Sequence, residues 1–580
     1  MQKELLLGNE AIALGARDAG CRVAVAYPGT PSTEITETIA RFPGVDSAWA
    51  PNEKVALEVA AGASVGGARA LCCMKHVGLN VAADPLFTSA YTGVNGGLVV
   101  VVADDPGMHS SQNEQDSRYY ALAAHVPMLE PADSQEAYDF TRLAFTMSER
   151  FDTPVLVRIT TRIAHARSAV ILREAETAKV RGYSKDAAKY VMMPAMARAR
   201  RVAVGERMKK LSEYANDLPA NEEFQGDGTG IVASGVAYRY VREALPNASV
   251  FKPGMVHPLP LERIRAFAQK TDRLFVVEEL GPFIENALKA AGIQAQGKSL
   301  FPEYGELSAN LVAEKLAGVS VKHSEAPELP ARPPVMCPGC PHRAVYYLLN
   351  KLGLTATGDI GCYTLGALPP LQGIDTCLCM GASIPMALGM EKARGKDFAR
   401  RLVAVIGDST FVHSGITGLI EAAYAGGTFT VLILDNATTG MTGHQNHPAT
   451  GYDIRGEAAP RLDLEAVARA AGVRHVLVVD PFDLPALEAA LKAETARAEL
   501  SVVIVRRPCA LLDKKAARAP LAVQEDACRY CRACLRLGCP AIEDAGGSVR
   551  INAQLCNGCG LCAGVCAFSA ITGGGEPACG

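Results

Sequence analysis

The sequence predicts a multidomain α/β protein with parallel sheets, closed by a small cysteine-rich domain. Three observations lead to that class. Short apolar runs alternate with helix-period segments along most of the chain, the pattern of strands joined by helical crossovers. The chain has 580 residues, too many for one hydrophobic core, and a length of this order corresponds to about four domains. The tail carries two dense cysteine runs, Cys528–Cys539 and Cys556–Cys566.

The elements follow in order. Helical periodicity over 8–19 leads to the apolar run Val23–Ala26. The turn Tyr27-Pro28-Gly29-Thr30-Pro31 comes next, and a helix opens near Ser32 with Thr30 as its cap and Pro31 at its first position. Small residues dominate 55–70 and predict a tightly packed helix, while Leu98–Ala103 and Pro154–Ile159 predict buried strands. Residues 1–185 are therefore one α/β domain. Residues 186–229 differ: Ala195–Lys210 is rich in Ala, Arg and Lys, and 216–230 is polar, which predicts a solvated surface helix and a linker. Residues 230–325 form a compact α/β unit with strands at Gly230–Ser234, Ala248–Phe251 and Leu274–Glu278. The proline-rich stretch Glu325–Pro334 marks a boundary. Residues 326–518 repeat the α/β pattern with strands Leu402–Ile406, Thr430–Leu434 and Val502–Val505, and 519–580 is the cysteine-rich tail. Its two runs start at Cys528 and Cys556, an internal repeat.

Composition excludes some classes. Hydrophobic content of 49% and charged content of 21% are ordinary for a globular protein. A net charge of −3 gives no basic surface for nucleic acid or an anionic membrane. No apolar run reaches a spanning length, and Met1-Gln2-Lys3-Glu4 lacks the basic start and apolar core of a signal peptide, so the expected location is cytoplasmic. Eighteen cysteines in such a setting predict metal ligands rather than disulfides.

The tail cysteines read C-x-x-C-x-x-C-x-x-x-x-C-P (Cys528, Cys531, Cys534, Cys539) and C-x-x-C-x-x-C-x-x-x-C (Cys556, Cys559, Cys562, Cys566). Each run resembles the bacterial ferredoxin run for [4Fe–4S] clusters, in which the fourth cysteine of one run ligates the other cluster. On that pattern one cluster takes Cys528, Cys531, Cys534 and Cys566, and the other takes Cys539, Cys556, Cys559 and Cys562. The first run has one residue more than usual before its fourth cysteine, and Ala567 stands where a proline would follow the second. The alternative is a pair of zinc knuckles.

The segment Val403–Phe411 (V-A-V-I-G-D-S-T-F) predicts a strand ending at Gly407, with Asp408 at its carboxyl end. Asn436 stands at the end of a second predicted strand, and ligands bind at such ends. An Asp and an Asn on neighbouring strand ends can bind one hard octahedral cation such as Mg²⁺ together with phosphate oxygens. The spacing resembles the G-D-x … N signature of thiamine diphosphate enzymes, in which Asp408, Asn436 and the carbonyl of Thr438 would hold Mg²⁺ on the diphosphate, with Gly407 and Ser409 flanking it. The alternative is two unrelated turn residues. Such enzymes activate the cofactor with a Glu that protonates its pyrimidine ring and comes from another domain. The candidate is Glu53, in P-N-E-K-V-A at the start of the small-residue helix. A Glu there is also favoured by the helix dipole alone.

The matching stretches then extend along the chain: Tyr27–Glu34, Asn52–Leu57, Cys72–Asn80, Cys337–His342, Asp359–Tyr363, Met380–Ser383, Gly407–Phe411 and Leu434–Thr439. Through them the chain resembles the alpha subunits of indolepyruvate ferredoxin oxidoreductases, within the thiamine diphosphate-dependent 2-oxoacid:ferredoxin oxidoreductases. The resemblance implies that 1–185 binds the pyrimidine, that 230–325 is a transketolase C-terminal-like domain, and that 326–518 binds the diphosphate and Mg²⁺, with Met380 and Gly381 among the cofactor contacts. It implies oxidative decarboxylation of an aryl pyruvate such as indolepyruvate, with electrons leaving singly through clusters to ferredoxin and the acyl group passing to coenzyme A. Thr30 falls at a substrate-side position. His76 lies in a matching stretch and is a second candidate, although a lone buried histidine is more often structural. Cys337, Cys340, Cys362 and Cys509 are spaced like the ligands of a further [4Fe–4S] cluster near the thiamine; inert buried cysteines or zinc are the alternatives. Cys377 and Cys379 lie near them in sequence, while Cys21, Cys72, Cys73 and Cys579 read as non-ligands. The family keeps a further domain on a smaller beta subunit, so the expected assembly is a heteromer. Two other functions stay open: a non-redox thiamine decarboxylase, and an electron-transfer subunit with a vestigial thiamine fold.

Overall fold

Valine and leucine runs without polar interruption need cover on both faces, which only central strands of a parallel sheet receive. Ala70–Lys75, Leu98–Asp104 and Val155–Thr160 are buried at every residue and lie side by side. They form the middle of a seven-stranded sheet whose order is Met255–His257, Met128–Leu129, Val155–Thr160, Leu98–Asp104, Ala70–Lys75, Val23–Ala26 and Asp46–Trp49. All neighbours are parallel except Met255–His257, which runs antiparallel to Met128–Leu129. The computed structural model describes residues 3–320, 329–330, 333–512 and 519–573. The chain divides into two units, Met1–Ala326 and Pro327–Gly580.

In the first unit the helix Gly8–Asp18 packs on Ser134–Phe151, and the small-residue helix is Glu53–Val65. A second sheet has the order Arg273–Val277, Thr229–Ala233, Ser249–Lys252 and Glu222–Phe224, with only the last strand antiparallel. Three local expectations change. The helix after the first turn is Thr33–Ile39, with Ser32 rather than Thr30 in the N-cap position and no side chain capping it. Ser32 donates its hydroxyl back to the carbonyl of Gly29, 2.8 Å away, so the turn is closed by its own side chain. The polar stretch read as linker supplies the edge strand Glu222–Phe224, which polarity permits because an edge strand is half solvated. Met255–His257 leaves its own sequence neighbours and completes the other sheet.

The two sheets of this unit are joined by a buried ionic network. Arg118, 1% exposed, donates to Asp116 Oδ1 and Oδ2 at 2.8 and 2.6 Å, to Glu278 Oε2 at 2.5 Å and to the Glu279 carbonyl at 2.8 Å. Arg158 reaches Asp104 Oδ2 at 2.6 Å and also pairs with Glu130. Burial pushes the Glu279 carboxyl up to about 7 despite the N–H of Leu307 beside it.

The second unit holds a six-stranded parallel sheet: Thr376–Cys377, Thr355–Gly358, Leu402–Gly407, Thr430–Asp435, Ser501–Arg506 and His475–Val479. The tail adds two small antiparallel pairs, Ala522–Val523 with Ile571–Thr572 and Ile542–Asp544 with Val549–Ile551. Pairing the tail's first strand with its last brings the end of the second cysteine run back beside the first. Tail residues Leu521, Leu537, Val549, Leu561 and Ile571 share one core with Met336, Val345, Leu349 and Leu487, so the tail is packed onto this unit. Among the described residues no helix is long and apolar enough to cross a membrane.

Candidate functional site

In the second unit Gly407 pairs with Leu434 across two adjacent parallel strands, so the residues that follow emerge side by side at the carboxyl end of the sheet. There the side-chain oxygen of Asn436 stands 3.0 Å from Asp408 Oδ1 and 3.0 Å from the carbonyl oxygen of Thr438. Three oxygens at that spacing repel one another unless the amide turns its nitrogen toward them or a cation lies among them. Adjacent ligands of an octahedral Mg²⁺ bound at 2.0–2.1 Å are about 3.0 Å apart, so both spacings match edges of such a shell. Ala437 bends the chain between two of them in the left-handed region, φ 58°, an uncommon conformation for a residue with a side chain. Asp408, 1% exposed, also accepts the N–H groups of Ser409 and Ala437, both at 2.9 Å. His447 was not foreseen: its Nδ1 accepts the Ala449 N–H, so Nε2 carries the proton and lies 3.3 Å from Asp408 Oδ2. The two side chains are thus buried side by side at ion-pair distance. Asp408→Ala is expected to weaken Mg²⁺-dependent binding of a diphosphate cofactor by at least tenfold; calorimetric titration giving wild-type affinity would remove this cation site.

Met380 and Gly381 form a loop pinned by Asp359, a residue of a matching motif that sequence reasoning did not single out. Asp359 is fully buried and accepts the N–H groups of Gly381 (2.8 Å), Ser383 (3.0 Å) and Ile360 (2.8 Å). Burial raises its carboxyl to about 6, against those donors. Gly381 has φ 82°, and a Cβ there would lie 2.2 Å from Ser414 Oγ, so only glycine fits.

In the first unit the candidate side chains follow the carboxyl ends of strands of the seven-stranded sheet. Glu53 opens the helix Glu53–Val65, whose cap Asn52 accepts the Val55 N–H at 2.9 Å. It is 4% exposed, and its carboxyl lies against the α-carbon of Gly78, where a Cβ would stand 2.5 Å from Oε1. The carbonyl of Thr30 is 3.4 Å from Ser110 Oγ, and Ser110 also accepts from Lys75 Nζ through its carbonyl at 2.7 Å. Lys75 was missed because a lysine at a strand end reads as a solvated charge. It is buried, and burial lowers its ammonium to about 8 although Asp105 works in the other direction. His76 is fully buried; its Nε2 donates to the carbonyl of Asn113 at 3.2 Å, and burial lowers its pKa.

The cysteines of the second unit gather in three sets. One tail cavity is lined by Cys528, Cys531, Cys534 and Cys566. A second is lined by Cys539, Cys556, Cys559 and Cys562 together with Leu521, Leu537, Ile551 and Leu561. Burial pushes the Cys562 thiol up to about 12, and the charges of Cys559, Cys539 and Cys556 push the same way. Away from the tail, burial lifts Cys340 to about 12 and Cys362 to about 11, with Cys337 and Cys509 adding to both. This third set adjoins the oxygen trio: the Cys509 N–H donates to the Asn436 carbonyl at 2.9 Å, and Cys362 Sγ is 3.3 Å from where a Cβ on Gly440 would stand. Among the described residues no three His, Cys, Asp or Glu side chains converge on a single ion. Four thiols around one cavity are a ligand set for a [4Fe–4S] cluster or for one zinc. Cys377 and Cys379 are exposed, and Cys21, Cys72 and Cys73 are buried in the first unit; Cys579 lies outside the described residues.

Residues 14–220 match the family described as pyruvate flavodoxin/ferredoxin oxidoreductase, thiamine diP-bdg, and residues 359–505 match the thiamine pyrophosphate enzyme C-terminal TPP binding domain. Indolepyruvate oxidoreductase subunit IorA of Archaeoglobus fulgidus is 42% identical over 98% of this chain and 97% of its own length. The subunit of the same description from Methanothermobacter marburgensis is 41% identical over 98% and 96%, and that from Pyrococcus horikoshii 39% over 98% and 97%.

Proposed function

Because the chain belongs to the indolepyruvate oxidoreductase IorA family of thiamine diphosphate enzymes, we propose that it is the catalytic subunit that oxidatively decarboxylates aryl pyruvates such as indolepyruvate. The products are the aryl-acetyl coenzyme A thioester and carbon dioxide, with electrons delivered singly to ferredoxin. Bound thiamine diphosphate supplies the electron sink for decarboxylation. The Asp408, Asn436 and Thr438 oxygens would hold Mg²⁺ on its diphosphate, and the loop at Met380 and Gly381, fixed by Asp359, would line it. Glu53 would hold the proton given to the pyrimidine ring, on a carboxyl whose rotation Gly78 allows and whose neighbours exclude water. Thr30 and Lys75 would meet the substrate end, where a buried ammonium attracts a carboxylate.

One observation supports the redox reading over a simple decarboxylase. Through Cys509, whose N–H bonds to the Asn436 carbonyl, the set Cys337, Cys340, Cys362 and Cys509 adjoins the proposed cation loop, and a decarboxylase that releases aldehyde has no use for an electron outlet there. We assign three [4Fe–4S] clusters: this set, then Cys539 with Cys556, Cys559 and Cys562, then Cys528 with Cys531, Cys534 and Cys566. A smaller beta subunit, ferredoxin and coenzyme A complete the proposed assembly. Anaerobic iron and acid-labile sulfide analysis alongside thiamine content tests it. About twelve irons per chain are expected, four per cluster. About eight would return the set near Asn436 to a structural role, and clusters without thiamine after Mg²⁺ reconstitution would favour an electron-transfer subunit.

A further inference from the structure

Arg343 is the second residue of the helix His342–Leu352 and is 2% exposed. Its placement is unfavourable on three counts. A buried guanidinium loses its hydration. A cation at a helix N-terminus meets the positive end of the helix dipole. Its hydrogen bonds go only to main-chain carbonyls: Cys337 at 3.3 Å, Leu537 at 3.0 Å, Gly538 at 2.5 Å, and Met336. Among the described residues no carboxylate pairs with it. A charge held this way is offset only by negative charge nearby, and the groups around it that would carry such charge as cluster ligands are the thiols of Cys539, Cys340, Cys337 and Cys559. They belong to two different cysteine sets, one near Asn436 and one in the tail.

The two sets also touch through their loops. Gly339, between Cys337 and Cys340, has φ 73°, and a Cβ on it would lie 2.1 Å from Asn557 Nδ2, between Cys556 and Cys559. Asn557 Nδ2 donates to the Pro338 carbonyl at 3.4 Å. The guanidinium fork spans the same junction, with Met336 and Cys337 on one side and Leu537 and Gly538 on the other.

We propose that Arg343 is a positioning residue shared by two clusters: it clamps the tail to the body of the unit and, as a fixed positive charge between the inner cysteine sets, makes both clusters easier to reduce. The inference rests on the cluster reading above. Without Arg343 the negative charge added on reduction has no nearby counter-charge, and the reduced form is disfavoured at both sites while the outermost set, Cys528, Cys531, Cys534 and Cys566, changes little.

The test is anaerobic redox titration of the complete protein, each cluster followed by electron paramagnetic resonance, for wild type, Arg343→Gln and Arg343→Lys, with iron counted in each. In Arg343→Gln with full iron, the ratio of reduced to oxidised form at fixed potential is expected to fall at least tenfold at both inner clusters, which is 59 mV for a one-electron couple. Arg343→Lys retains the charge and loses the fork, so its potentials stay near wild type. Unchanged inner-cluster potentials in Arg343→Gln with full iron overturn the proposal. If Arg343→Gln loses iron, Arg343→Lys decides: wild-type potentials support the charge role, and a reduced-to-oxidised ratio at fixed potential lowered at least tenfold overturns it. Wild-type protein lacking these iron centres would instead refute the cluster reading itself.

Discussion

Glu53→Gln is expected to lower turnover by about 10²–10⁴-fold, the range set by removing one positioned proton-transfer group. Glutamine is close in shape but carries no ionisable proton, so thiamine content, iron content and cluster absorbance should stay at wild-type values. The fit around this carboxyl is tight enough to provide an independent check. A methyl group on Gly78 would stand 2.5 Å from Oε1 and 2.6 Å from Cγ of Glu53, so Gly78→Ala must turn the carboxyl away. It should lower activity in the same direction without touching the charge. Single-turnover decarboxylation in anaerobic stopped flow is the measurement. Glu53→Gln retaining activity within tenfold of wild type would assign the proton role elsewhere.

Arg118→Met is expected to cost about 3–5 kcal/mol of stability, because it strands two carboxylates rather than removing a pair. Asp116 and Glu278 both direct oxygens at the guanidinium, and Phe283 stacks on it with its ring centroid 5.2 Å away. Methionine fills the volume and leaves the charges. Adding Glu278→Gln removes one stranded charge, so the double variant should be more stable than the sum of the two single losses predicts. Denaturant midpoints for the four chains close the cycle. Strict additivity would mean that Arg118 and Glu278 are not energetically coupled.

The α/β class, the strand at Leu402–Gly407 and the pairing of Asp408 with Asn436 were legible because each rests on local signals: an apolar run of strand length, then a polar residue at its end. The cysteine sets were legible for the same reason, since fixed spacing places thiols on one loop. Met255–His257 was not, because three residues carry no periodicity and their partner, Met128–Leu129, is more than a hundred positions away. Glu222–Phe224 was hidden by its polarity, which marks an edge strand as readily as a linker. Thr30 looked like a cap from its type and position, but the helix starts later once Ser32 bonds back to Gly29.

The chain by itself determined which residue types exist to do chemistry: an Asp and an Asn after two strands, a carboxylate at a helix start, and twelve cysteines in spaced groups. Spacing along the backbone is a covalent fact, and a hundred other packings would preserve it. The fold decided which of them share a neighbourhood. It set Asn436 beside Asp408 through strand register, put Cys509 on the Asn436 carbonyl, brought Cys566 back to the first tail run, and buried Arg343, Asp359, Lys75 and His447, each among partners of its own unit. Such residues look like ordinary surface polars in sequence. Their roles come from lost hydration and from partners far away in the chain, and both exist only once the chain has folded.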